Sequence, residues 1–335
     1  MLNLRISSPT NLTAAVLATL SSDPAVSELA SIPGASLRPQ GDLILASVAR
    51  EAANDLIDRL RELGVQHEGS IQIAPAGAWM SSRALSAQQL APGSGADSVV
   101  WADVTQQAYE DSEPNWTFLS LISLATLIAG IAIILDSQIL VIGAMVIGPE
   151  FGAIAALGVA LVRRRHGLLG QALRALALGF AVGIAVTTLA ALAARGLGWV
   201  SVADVTAIRP ATGFIYTPDR WSFIVALIAA AAGVLALTSA RVGGLSGVFI
   251  SVTTIPAAAN IALGIAFGVP EEIWGSVQQL LLNVAGMAIA GWATLLLQQV
   301  VWGRVSTGRS RLATRLRTRA RGRRASSSTP GASGP

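Results

Sequence analysis

The rhythm of hydrophobic positions changes at Trp116: before it, apolar and polar residues alternate in short runs, and after it the chain stays predominantly apolar to about Trp302. In the first part, LNLRIS (2–7) alternates with the period of a half-buried strand. Thr10–Leu20 then places Leu12, Ala15, Val16 and Leu20 at helical spacing. Two strand-like runs follow, Val26–Ile32 and Asp42–Val48, separated by the turn signals Pro33-Gly34 and Pro39-Gln40-Gly41. Glu51–Leu63 reads as a second amphipathic helix, with Leu56, Ile57, Leu60 and Leu63 on one face, and Ser70–Ile73 as a last strand. The order βαββαβ over residues 1–75 predicts a small ferredoxin-like α+β domain. Residues 76–114 predict a linker, polar and small over Ser81–Asp97, and a short interfacial helix over Val99–Glu113.

The apolar part divides into stretches of about 20 residues, the length needed to cross a bilayer as a helix. Six spans are predicted at 116–135, 138–161, about 172–194, 221–239, 245–268 and 273–302, forming a membrane domain over 115–303. Trp116, Trp199, Trp221, Trp274 and Trp302 fall near span ends, as an aromatic belt requires.

Composition supports this division. Of 335 residues 53% are hydrophobic and 13% charged, and the mean hydropathy is +0.60. The basic residues are all Arg, and their placement orients the spans. Arg163, Arg164 and Arg165 lie between spans 2 and 3, Arg241 between spans 4 and 5, and nine Arg without an acid over 304–324. All three groups fall on one side of a six-span chain, which the positive-inside rule makes cytoplasmic, with both termini, in a multi-pass protein of the plasma membrane. Residues 1–114 hold 6 Arg against 13 acids, so the high isoelectric point belongs to the tail and not to a nucleic-acid-binding fold. The tail, 304–335, is expected to be disordered and to bind anionic headgroups through arginines such as Arg315, Arg317, Arg319 and Arg321. No apolar leader opens the sequence, so no cleavable signal peptide is expected. There is no cysteine, and the two histidines, His67 and His166, lie far apart, so neither a metal site nor a cofactor is expected.

Spans 2 and 5 share a pattern. Span 2 holds Pro149 and then ALGVA (156–160); span 5 holds Pro256 and then ALGIA (262–266). Each is the middle member of a triplet, and the six-span orientation runs the two in opposite senses, so the membrane domain reads as a 3+3 inverted repeat. Paired Gly/Pro-interrupted segments of this kind point to the binding site of a transporter. Glu150, next to Pro149, is the one acid predicted inside a span, and Asp136, Asp204, Asp219, Glu271 and Glu272 are assigned to loops. A buried carboxylate needs a proton, water or a partner. Gly148, Pro149, Glu150, Thr253, Thr254, Pro256, Asn260 and Asn283 are therefore the candidate ion site, with Ser251, Gln278 and Gln279 as further polar groups nearby.

The segment Ile142-Gly143-Ala144-Met145-Val146-Ile147-Gly148-Pro149 resembles the signature of a bacterial and archaeal family of hydrophobic membrane proteins, domain of unknown function 389 (DUF389). The run from Gly247-Val248-Phe249-Ile250-Ser251 to Ile255-Pro256 is similar to that family's later motif, and Arg209-Pro210 and Val225-Ala226-Leu227 fit its pattern. The likeness covers roughly 115–300 and implies a polytopic membrane architecture without naming a substrate. Glu150 and the single Pro256 depart from the family's leucine and double proline, so a role for Glu150 is not inherited from the family. Two functions compete: a secondary transporter or ion-conducting protein for an ion or small solute, and a non-transporting regulator whose N-terminal domain binds a ligand or partner. Self-association fits either. An enzyme is disfavoured, since the spans hold no Ser/His, paired-Asp or HExxH arrangement.

Overall fold

A computed structural model describes residues 1–77, 79–91, 99–215, 220–239 and 254–326. The chain divides into two compact units, Met1–Ala102 with Gln298–Pro335, and Asp103–Leu297.

The first unit contains strand β1 (Leu2–Ser8), helix α1 (Thr10–Ser21), strands β2 (Val26–Leu37) and β3 (Gln40–Val48), helix α2 (Ala53–Glu62) and strand β4 (Ser70–Pro75). The strands form one antiparallel sheet in the order β2-β3-β1-β4. That order is the split βαβ arrangement that the alternation predicts. Leu4, Ile6, Ile44 and Val48 on one sheet face pack with Val16 and Leu20 of α1 and Leu56 and Leu60 of α2. Two local readings change. Pro33-Gly34 does not turn the chain; it lies within β2 at a register shift between Ile32 and Ser36, where Gly34 takes φ +67° and its N–H donates to Asp42 Oδ1 at 2.8 Å. The hairpin turns instead at Arg38-Pro39, with Leu37 opposite Gln40. The stretch read as a linker contains helix α3 (Ser82–Leu90), begun by Ser81 Oγ accepting from the Ala84 N–H at 3.3 Å. Ala84, Ala87 and Ala91 are its buried positions, small enough for the helix to lie close against the β2–β3 hairpin.

Helix α4 (Trp101–Asp111) leads into the second unit, which holds α5 (Trp116–Ile134), α6 (Gln138–Ile147), α7 (Glu150–Arg163), α8 (His166–Gly196), α9 (Arg220–Thr238), α10 (Thr254–Phe267) and the start of α11 (Pro270–Ser326). Among the described residues, three helices, α5, α8 and the stretch Pro270–Val301 of α11, are long and apolar enough to cross a membrane. A fourth crossing results if α6 and α7, bent by 56° at their junction, count as one. The six predicted spans are thus recovered in part. Span 2 is broken at Gly148-Pro149, since Pro149 can neither donate to α6 nor fit its next turn. Span 5 is seen as the 14-residue α10, and residues 245–253 of that span lie outside the described residues, as does Arg241. Trp116, Trp199, Trp221 and Trp274 are largely exposed, in keeping with their predicted places at span ends.

The two 14-residue helices α7 and α10 are the most enclosed. Every residue of α10 except Ile265 is buried, and α10 packs against α5, α6 and α8. Close approach rests on small residues and hydroxyls, as it does between helices that gain nothing from excluding water. Thr126 of α5 donates to the Gly183 carbonyl of α8 at 3.2 Å and accepts from Thr187 at 3.1 Å. Arg195 of α8 donates to the Ala266 carbonyl at 2.9 Å, placing a cation at the negative end of the α10 dipole. The basic stretch read as disordered is helical over 304–326 as the continuation of α11, whose Arg, Leu and Ala residues are strong helix formers.

Candidate functional site: a buried polar cluster where two short helices begin

Two of the enclosed helices start close to one another. Pro149 ends α6 and caps α7, which puts Glu150 in the first turn of α7, where the helix dipole favours a negative group. Thr254 opens α10, and its hydroxyl donates to Glu150 Oε1 at 2.8 Å. Both residues are fully buried. Gly148 makes the approach feasible: a Cβ there would meet the Glu150 carboxylate and would lie 2.8 Å from Ile255 Cγ1. The pairing of the two proline-interrupted segments, expected from their similarity, is thus seen across 104 residues of sequence.

One and a half turns along α10, Asn260 forms a second buried group. Its Nδ2 donates to Ser276 Oγ of α11 at 2.9 Å, and its Oδ1 accepts from Arg209 Nη1 at 3.3 Å. Arg209 Nη2 also donates to Glu272 Oε1 at 2.5 Å. Arg209 and Glu272 are 4% and 8% exposed, which corrects the expectation that both are loop charges in water. The cause is local. Glu272 sits in the first turn of α11, and the segment that carries Arg209 folds inward because Asp136 accepts from the Ala211 N–H at 3.2 Å and from Thr212 Oγ1 at 2.8 Å. Of the other acids assigned to loops, Glu271 is exposed, Asp219 lies outside the described residues, and Asp204 is exposed, with the Ser201 hydroxyl and N–H both donating to it and holding its carboxyl below the usual range.

Of the other candidates, Asn283 and Pro256 are buried, Gln279 is buried while Gln278 is exposed, and Ser251 and Thr253 lie outside the described residues. Arg163, Arg164 and Arg165 form the turn between α7 and α8, with Arg164 and Arg165 exposed. Arg315, Arg317, Arg319 and Arg321 lie on the distal part of α11. Among the described residues, no group of three or more His, Asp or Glu side chains could hold a metal ion.

On the other side of the helix break is a cavity of ≈ 350 Å³, lined by Gly148, Pro149 and Gly152 and by Glu110, Asp111 and Glu113 at the end of α4. Sequence reading placed α4 at a membrane surface; it packs along α7, with Val104, Ala108 and Asp111 beside Gly152, Ala155 and Val159. Burial, reinforced by the neighbouring Glu110, raises the Asp111 carboxyl above its ordinary range.

Comparison with known proteins adds one finding. No curated protein and no solved structure matches the chain. Residues 145–289, which contain Glu150, Arg209, Thr254 and Glu272, match the family model described as a domain of unknown function (DUF389).

Proposed function

We propose that this protein is a secondary transporter or ion-conducting protein of the cell membrane, with its site where α7 and α10 begin. The supporting observation is the Thr254–Glu150 hydrogen bond, which joins the carboxylate in the first turn of α7 to a buried hydroxyl of α10 in the interior of an apolar bundle. Ionisable groups in such positions are costly and mark ion pathways far more often than they serve packing. Short helices that start near one another let backbone and side-chain dipoles replace the hydration shell of an ion.

In this reading α10 and the residues before it make a fifth crossing, the six crossings form a 3+3 inverted repeat, and both termini are cytoplasmic. Arg163–Arg165 and the basic end of α11 then face anionic headgroups. The regulatory alternative draws on the N-terminal α+β unit but lacks a comparable site. The two separate in proteoliposomes: cation or proton flux in the wild type that falls at least tenfold in Glu150→Gln supports transport coupled to this carboxylate. Flux indifferent to the substitution removes Glu150 from the mechanism, and no flux for any cation tested favours the regulator. For topology, Ser201→Cys in the cysteine-free chain should react only from outside the cell; labelling from the cytoplasm contradicts the inverted repeat.

A further inference from the structure

Helix α11 is polar on its inner face and apolar on its outer one. Glu272, Ser276, Gln279 and Asn283 follow the i, i+4, i+7, i+11 spacing of one helical face and are 8%, 0%, 0% and 0% exposed. Trp274, Leu281 and Leu282 lie on the exposed side. The run measures about 16 Å at 1.5 Å per residue. Beyond it the buried positions of the helix turn apolar, at Met287, Ala290 and Leu295.

The polar face has a matching partner. The Asn260–Ser276 bond fixes α10 and α11 as an antiparallel pair, and Gly264 against Ile273 continues it. Thr254 lies six residues before Asn260 and Asn283 seven after Ser276, roughly 9 and 10 Å along the two helices, so both reach the level of Glu150. Two buried polar groups, Arg209–Glu272 with Asn260 and Ser276 at one end and Thr254 with Glu150 at the other, thus lie along α10, with the polar face of α11 spanning the distance between them and Gly148 and Pro149 also lining the acidic cavity; together they form a polar seam. It holds two carboxyl groups and one guanidinium among neutral oxygens.

We infer that this seam is the path of a small cation, proton included, and that the Arg209–Glu272 pair closes it at one end. The inference rests on the transport reading above. It predicts that Ser276→Cys, Gln279→Cys and Asn283→Cys, introduced singly into the full cysteine-free chain in proteoliposomes, react with a small cationic methanethiosulfonate at least tenfold faster than the outward-facing Leu281→Cys. Adding Arg209→Gln should speed the reaction further, and labelling should block flux. Flux driven by a pH gradient identifies the proton; flux driven by a sodium gradient at fixed pH identifies a metal cation. Ser276→Cys is nearly isosteric, so it tests the seam even where the larger truncations fail to fold. Flux with all three positions as unreactive as Leu281→Cys overturns the seam as the path and leaves the transport reading standing. Labelling of all three with no flux of either ion overturns the transport reading and the cation path with it.

Discussion

Helices α7 and α10 carry the nearly identical runs ALGVA and ALGIA and use the shared glycine alike: Gly158 lies against the backbone of Gly291 and Trp292, and Gly264 against Ile273, both on α11. Their first turns diverge. The first turn of α7 presents the Glu150 carboxylate, whereas that of α10 presents the Thr254 hydroxyl, with Asn260 farther on. The surroundings diverge too, since an acidic cavity adjoins the break before α7 while an ion pair adjoins Asn260. Common packing positions with unlike polar ones indicate that the shared pattern maintains contact with α11, while charge is confined to one helix.

Several substitutions sharpen or break that comparison. Asn260→Ala should be the most damaging, since it strands buried partners on Arg209 and Ser276; roughly 3 kcal/mol or more of stability is expected to go, read as thermal unfolding in detergent. An unchanged melting temperature would mean that the α10 polar group holds nothing together. Gly158→Ala comes next, at about 1–3 kcal/mol, because the added methyl would stand 3.0 and 3.1 Å from backbone atoms that cannot turn aside. Gly264→Ala should cost a similar amount, since its methyl would stand 2.6 Å from Ile273 Cγ1 and 3.2 Å from the Val269 carbonyl. A loss at one glycine and none at the other would show that the two do not play equivalent parts.

Asp111→Asn tests the cavity side through pH. Burial raises this carboxyl in the folded protein, so the folded state holds the proton more tightly and loses stability as pH rises through the folded pKa. The variant should therefore be more stable than wild type at neutral pH, with the gap closing at acid pH below the ordinary carboxylate range. A gap independent of pH would show that the Asp111 charge is not under strain. The smallest effect belongs to Ile265→Val, which turns ALGIA into ALGVA: Ile265 is half exposed, and a change within about 0.5 kcal/mol is expected.

Much of this was legible in the residues. Alternation located the four strands, helical spacing located α1 and α2, apolar length located the spans, and two prolines with similar sequels set Glu150 against the segment around Pro256, where Thr254 supplies the hydroxyl. The Arg209–Glu272 pair escaped because a charge between apolar runs reads as a loop in water, and sequence spacing does not reveal that Asp136 draws the segment inward. A signal was nonetheless present: Glu272, Ser276, Gln279 and Asn283 share one helical face, and counting Glu272 with the others marks that face as polar. Helix α3 escaped for the opposite reason, since alanines among Ser and Gln look like a linker until a hairpin supplies the surface they fit.

Asp136 has a consequence of its own. It is one of two non-glycine residues among those described with a left-handed backbone, at φ +48°, and it sits in the turn that joins α5 to α6. Asparagine would tolerate that backbone about as well and would keep an acceptor, whereas glycine would suit the backbone and let the 209–213 segment go. The turn thus works as a tether. Through two hydrogen bonds accepted by one carboxylate, the turn between α5 and α6 holds the segment that delivers Arg209 to Asn260 and Glu272, so a shift of that turn would pull on the ion pair.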